Sequence, residues 1–420
     1  MRVHGPAARP RPKLSRFGSA LLAPLLVAAC ADSGSLDTTA ASAVDSAGVR
    51  IVSLPGDGVD QPMEEALELP PHLRLGVVEG EEALQFSTPN GAARLSDGRL
   101  VVSESGTRLR LFDADGSFVR WIGAMGDGPR EFAAVSSVGI LDGDTIAVYD
   151  GRRRRIVLYE PGGGFVREAA VQLPERFTQV RSSRFFSDGR FFVEAANPGF
   201  DQPDAAERRE RIAAILFDRH GAEPQILDEA DGMTLRIETV GESEGGQQMR
   251  LMVNITPTFF PLSRFTGDRG GVHRWDGARF EVRRLDDAGV LREIIRVDRA
   301  ARPVTSEVIR TYENEGPGSN VSPQLREIRE QVLASRMYAD SLPHFQVVQP
   351  APDGSLWLGE FTGHVGGTPT RWWRISPDGE LKGYLDLPEG FRVLAFEEGE
   401  VLGVERDELD VPFVVGYRVR

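Results

Sequence analysis

From residue 93 onward the chain alternates short apolar runs with polar turn signals, and the unit recurs. The first copy reads ARLSDGRLVVSES and then RLRLFDADGSFVRWIG from Ala93; the second reads VGILDGDTIAVYD and then RRIVLYEPGGGFVREAAV from Val138. Each holds four runs of strand length split by D-G, D-A-D-G or P-G-G-G, the pattern of a four-stranded antiparallel meander. One such sheet cannot bury both faces, whereas radial stacking of copies does so and leaves only short edges. A third copy runs SRFFSDGRFFVEA and, after an insertion, RIAAILFDRHGAEPQIL; a fourth spans Phe259 to Val297. The fifth runs FQVVQPAPDGSLWLGEF and RWWRISPDGELKGYLDL, the sixth RVLAFEEGEVLGVERDE and FVVGYRVR. The period predicts an all-β fold, a six-bladed β-propeller of four-stranded antiparallel blades. The sixth copy stops one strand short. The segment from Leu73 to Phe86, which parallels Trp121 to Phe132, is the expected N-terminal strand that closes the ring, with Val49 to Leu54 as a second candidate.

Three stretches interrupt the repeat: Asn197 to Arg211, Asp228 to Thr258 and Pro303 to Asp340. The last carries helix signals. Ser322 can cap, Pro323 suits a first turn, and Leu325, Ile328, Val332 and Leu333 form one apolar stripe. This predicts a helical insertion between blades four and five, over about residues 303–340, packed on the propeller top either as a lid or as a plain decoration. The adjacent Trp372 and Trp373 lie on one strand and face opposite ways, so at most one is expected between blades.

The first 29 residues differ from the rest. Arg2, Arg9, Arg11, Lys13 and Arg16 precede the apolar run Ala20 to Ala29, with no acid, as in an export signal too short to span a bilayer permanently. The run ends Val27-Ala28-Ala29-Cys30, which resembles the bacterial lipobox, and Cys30 is the single cysteine of the chain. The resemblance implies lipidation of Cys30 after cleavage. With Ala31 rather than Asp following, it implies outer-membrane sorting in a two-membrane cell. The expected divisions are a signal peptide over 1–29, a flexible Ser/Thr/Ala-rich tether over 30–48 and the propeller over 49–420. The formal charge of −14 opposes nucleic-acid binding, which needs basic surface to displace counterions from phosphate. Cleavage would take it to about −19, so lipid alone would hold the chain at a membrane.

The D-G turn, the strand ending in an acid and the R-I-x-V-F-D-like strand resemble the NHL-type repeat of six-bladed propellers. The segment GAMGDGPREF resembles the linker of those repeats, with Arg130 standing where they have glycine. The chain resembles extracytoplasmic six-bladed propeller lipoproteins, a resemblance that specifies fold far better than function.

Acids end strand B in several copies: Glu104, Asp150, Glu194, Glu360 and Glu405, with Asp407 nearby. If the fold sets them around one rim, they could hold Ca²⁺. They could equally be turn caps that satisfy backbone N–H groups. Resemblance to lactonase-like propellers implies a channel calcium, and with it a calcium-assisted esterase or lactonase as the alternative to a binding module; no other cofactor is implied. The loop Arg152, Arg153, Arg154, Arg155 could grip a carboxylate, phosphate or sulfated glycan, although alternation along the following strand keeps all four from serving one ligand. The histidines show no metal spacing. The leading expectation is a lipid-tethered binding module whose insertion-decorated top holds a peptide, glycan, small ligand or envelope protein.

Overall fold

The middle strands of each repeat are apolar on both faces, so every sheet needs a neighbour on either side, and that requirement builds a ring. The computed structural model describes residues 41–420 apart from 106–107, 127, 129, 200–206, 243–247, 316–335 and 364–366. The signal segment, Cys30, most of the tether and the helix expected around Ser322 therefore lie outside the described residues.

Blade 1 consists of Pro89–Arg94, Leu100–Glu104, Leu109–Phe112 and Phe118–Ile122, strands A to D from the channel outward. Blade 2 is Val135–Leu141, Thr145–Asp150, Arg155–Tyr159 and Phe165–Ala170. Blade 3 is Gln179–Phe185, Phe191–Asn197, Glu207–Phe217 and Gln225–Glu242. Blade 4 is Arg264–Asp268, Gly271–Trp275, Glu281–Leu285 and Leu291–Val297; blade 5 is Phe345–Pro350, Leu356–Glu360, Arg371–Ile375 and Leu381–Asp386. Blade 6 is Arg392–Glu397, Glu400–Arg406 and Pro412–Arg418, with Leu73–Leu75 as its outer strand. The six A strands touch in succession and the sixth touches the first, so the ring is closed. The chain is a six-bladed β-propeller.

Strand B of blade 1 is buried from Leu100 through Ser103, while the outer strand Phe165–Ala170 alternates between half-buried and exposed positions. That contrast is what radial stacking demands of inner and outer strands. Each neighbouring pair of blades shares one apolar cluster. Blades 4 and 5 meet around Trp373, Phe280 and Phe345, and blades 5 and 6 around Trp372, Phe391 and Phe396. Both tryptophans are thus between blades, not one as expected from their alternation. A blade has a neighbour on each face, so opposite-pointing side chains both find a core. The D-G turns behave as read: Gly98 has φ +89°, a conformation glycine adopts freely, and Leu95 N–H donates to Arg99 O at 2.8 Å.

The ring closes as expected at Leu73–Leu75, which pairs antiparallel with the last strand through Leu73↔Gly416 and Leu75↔Val414. Leu73 and Leu75 then join the cluster between blades 6 and 1 with Leu100, Phe112 and Val414. The second closing candidate lies elsewhere. Val49–Leu54 runs parallel to the outer strand of blade 4, from Arg50↔Glu293 to Leu54↔Val297, and buries Val52 and Leu54 in the core between blades 4 and 5. A further strand, Ser42–Ser46, pairs with it in an exposed hairpin, so the end of the expected tether is a strand. The stretch read as an insertion after blade 3 extends that sheet, with Gln225–Glu242 turning back into Gln248–Asn254.

The insertion between blades 4 and 5 carries a helix, α1 (Ser306–Glu315). Val304, Val308 and Tyr312 around it pack against Phe259, Leu342 and Phe361. These last three lie just before strand A of blades 4 and 5 and just after strand B of blade 5, which places α1 on the face of the B-to-C and D-to-A connections.

Candidate functional site

The acids that end strand B do not form one ring. Near the start of each A–B pair of blades 1, 2, 3, 5 and 6 sits a register shift in strand A. The strand B residue opposite the position preceding that shift is Glu104 in blade 1, Asp150 in blade 2 and Glu360 in blade 5. In blade 3 the equivalent is Ala195, and Glu194 falls one residue earlier, which turns its side chain to the other face. In blade 6 the equivalent is Gly403, two residues before Glu405.

Each acid is engaged by the protein. Glu104 accepts from the backbone N–H of Ser87 and, at 3.1 Å, of Thr88, from Ser87 Oγ, and pairs with Arg110. Asp150 is fully buried and accepts from the N–H groups of Ala133, Ala134 and Arg153 at 3.1–3.2 Å. Glu194, also fully buried, accepts from Phe265 N–H at 2.6 Å and Arg264 Nε at 3.0 Å. Glu360 pairs with Arg302 of the insertion at 3.2 Å, and Glu405 with Arg74 at 2.9 Å and the Tyr417 hydroxyl. Among the described residues no group of three or more His, Cys, Asp or Glu is placed to hold a metal ion. The calcium set Glu104, Asp150, Glu360 and Glu405 therefore does not come together. Its members tie incoming linkers and loops to the blades, because a buried N–H left unpaired costs about 1–3 kcal/mol.

The four arginines are also divided. Arg155 pairs with Glu168 at 2.8 Å and donates to Glu131 O; Arg154 donates to Thr178 O at 2.7 Å; Arg153 lies 3.9 Å from Asp150. Arg152 points to solvent. Arg154 also borders a small cavity of about 250 Å³ with Ser136, Gly151, Thr178, Arg181 and Ser183, at the B-to-C end of the channel wall. Arg181 there is paired with Glu210.

The large space is elsewhere. A cavity of about 900 Å³ fills the central channel and extends to the A-to-B turns, where it is bordered by Ser96, Asp144, Ser187, Gly270, Pro352 and Glu398. A-to-B turns lie at the end of a meander opposite the B-to-C loops, so this mouth faces away from the insertions. Its wall contains one layer with a chemistry of its own. Counted from the register shift in strand A, Ala93, Gly139, Arg184, Gln349 and Glu397 occupy equivalent positions of blades 1, 2, 3, 5 and 6, and all five line the cavity. Blades 3 and 6 stand opposite each other in a ring of six, so Arg184 and Glu397 come from opposite walls.

Arg184 donates through Nη2 to Pro350 O at 2.6 Å, and among the described residues no carboxylate pairs with it directly. Burial lowers its pKa from the ordinary value, against the more distant pull of Asp268 and Glu397. Burial pushes the Glu397 carboxyl up to about 7, although Arg184 and the Arg94 backbone N–H favour its charged form. Gln349 Oε1 is buried without a hydrogen-bond partner. Two other charged pairs on the wall are matched: Arg94 forks onto Glu400 at 2.7 and 2.8 Å, and His273 Nε2 sits 2.8 Å from Asp268, whose carboxyl is held below its usual range by that pairing despite the opposing burial. Sequence reading missed Arg184, Gln349 and Glu397. Their signal is a polar residue on strand A where other copies have Ala93 and Gly139, visible only once the register is known.

A six-bladed propeller with an open, polar channel is thus the class that fold and geometry define. Residues 91–186 match the DUF5128 family model, described as a 6-bladed beta-propeller. No curated protein matches the chain. Among solved structures, an exported protein from Bacteroides fragilis is 13% identical with a TM-score of 0.46, over 88% of this chain and 99% of that one. A DUF4221 family member from Bacteroides vulgatus is 11% identical with a TM-score of 0.49, over 86% and 99%. A streptogramin B lyase is 12% identical with a TM-score of 0.40, over 86% and 100%.

Proposed function

We propose that the protein is an extracytoplasmic binding module, tethered to the cell envelope by lipid on Cys30, that takes a small ligand into its central channel. The carrying observation is the cavity of about 900 Å³, which lies within the range of small-molecule sites, roughly 300–1,000 Å³. The N-terminal sequence supports the location: a basic segment, a short apolar run and Ala28-Ala29-Cys30. The engaged acids argue against a catalytic calcium in the channel and leave the cavity as the feature that asks for a ligand.

Two measurements test this reading. Radiolabelled palmitate should enter the wild-type chain and be absent from Cys30→Ala. Thermal melting against sugars, nucleosides, carboxylates and amino acids should show a saturable rise in midpoint, since a ligand specific to the folded state stabilises it. That rise should vanish in Ser137→Trp, which fills the channel where the Ser137 and Ser183 hydroxyls meet at 3.0 Å. A rise that persists in Ser137→Trp would move the site out of the channel.

A further inference from the structure

The layer containing Arg184 and Glu397 is unevenly built, and the unevenness has a chemical meaning. On the side of blades 1 and 2 it presents the small residues Ala93 and Gly139, Gly139 because Phe185 of blade 3 packs where its Cβ would stand. On the other blades it presents a guanidinium, an amide and a carboxyl. The guanidinium and the carboxyl oppose each other without forming an ion pair. Among the described residues Arg184 Nε and Nη1 meet no protein acceptor, and Gln349 Oε1 is a buried acceptor with no donor. Opposite charges held apart across a cavity favour a molecule that offers each its complement: an anion toward Arg184 and a cationic N–H donor toward Glu397.

We propose that the channel ligand is a small zwitterion of the α-amino-acid type, its carboxylate received by Arg184 and its ammonium by Glu397. This rests on the channel-binding reading and specifies the ligand class for it. A ligand bearing an anion alone fits less well, because an ionised Glu397 repels it. The charged groups around Glu397 are Arg184 from blade 3, Arg94 from blade 1 and Glu400 beside it in blade 6, and Arg94 is already committed to Glu400. An ammonium therefore meets Glu397 as the acid of this layer still lacking a side-chain partner. Because burial lifts that carboxyl to about 7, binding favours the ionised form and releases a proton when it occurs below neutrality. Affinity should rise about tenfold from pH 6 to pH 8, as expected for one linked proton.

The experiment titrates the full-length protein in detergent with the common L-α-amino acids, each beside its des-amino acid and its des-carboxy amine, at up to roughly 10 mM, read by thermal shift and calorimetry. The expected result is binding by one or more amino acids and by neither truncated analogue. Arg184→Met should weaken it at least tenfold, and Glu397→Gln should weaken it and abolish the pH dependence, neither with a lowered melting point in plain buffer. Binding of a des-amino acid as tight as its parent, or affinity that falls with rising pH, overturns the zwitterion while leaving channel binding standing. No binding by any amino acid also overturns it, and the wider screen with Ser137→Trp then decides separately whether the channel binds small molecules at all.

Discussion

The two ends of the channel use charge in opposite ways. At the B-to-C end, Glu104, Asp150, Glu194 and Glu360 are each met by backbone N–H groups or an arginine, and the cavity there is about 250 Å³. Toward the A-to-B end, Arg184 and Glu397 lie in a space of about 900 Å³ with neither paired to an opposite charge. A carboxylate whose lone pairs are filled by the chain's own N–H groups holds linkers in place. A half-buried guanidinium and carboxyl left apart spend stability on something other than the fold. The difference separates charge engaged by the fold from charge that the fold leaves unengaged, without any appeal to sequence motifs.

The largest effect should come from the satisfied end. Asp150→Ala strands three backbone donors in a fully buried site and should cost about 3–5 kcal/mol in urea unfolding; a cost under about 1 kcal/mol would mean that this acid is not the linker's anchor. At the open end the sign reverses. Glu397 has its folded-state value raised from 4.5 to about 7, so its contribution is full below pH 4.5 and is lost as pH rises through 7. Glu397→Gln should therefore be more stable than wild type by roughly 1–3 kcal/mol at pH 8, with the gap closing by pH 4. A gap independent of pH would place that carboxyl in solvent.

Within the arginine loop the same contrast recurs on a smaller scale. Arg155, with a carboxylate and a carbonyl as partners, should cost about 1–2 kcal/mol when changed to alanine. Exposed Arg152 should change stability by less than about 0.5 kcal/mol. Equal effects would show that the loop works as one charged patch. A change of opposite sign is expected at Arg130, held at φ +67° in the linker that ends at Ala133. Arg130→Gly should stabilise by about 0.5–1 kcal/mol, less whatever its stacking 5.0 Å over Phe165 contributes.

Much of the fold was legible because two signals coincide in most copies: D-G turns that fix hairpins, and middle strands apolar on both faces. The closing strand at Leu73 was legible because its flanks repeat those of Trp121. The attachment of Val49–Leu54 to blade 4 was not, since a short alternating strand carries no mark of which edge it joins. The site was less legible than the fold. Acids at the end of strand B look equivalent when copies are aligned on their turns, but turn length varies: Leu141↔Thr145 and Glu397↔Glu400 close tighter hairpins than Arg94↔Leu100. Only the register shift in strand A fixes which residues share a level. That shift separates Glu194 and Glu405 from the other acids and brings Arg184, Gln349 and Glu397 together.

The central claim, that the channel holds an accessible arginine kept free for a ligand, is tested most directly by labelling the folded protein with phenylglyoxal and mapping the modified peptides. The account predicts modification of Arg184 alongside solvent-exposed Arg152, with Arg94 protected by its fork onto Glu400. An Arg184 that stays unmodified while Arg152 reacts fully would contradict it.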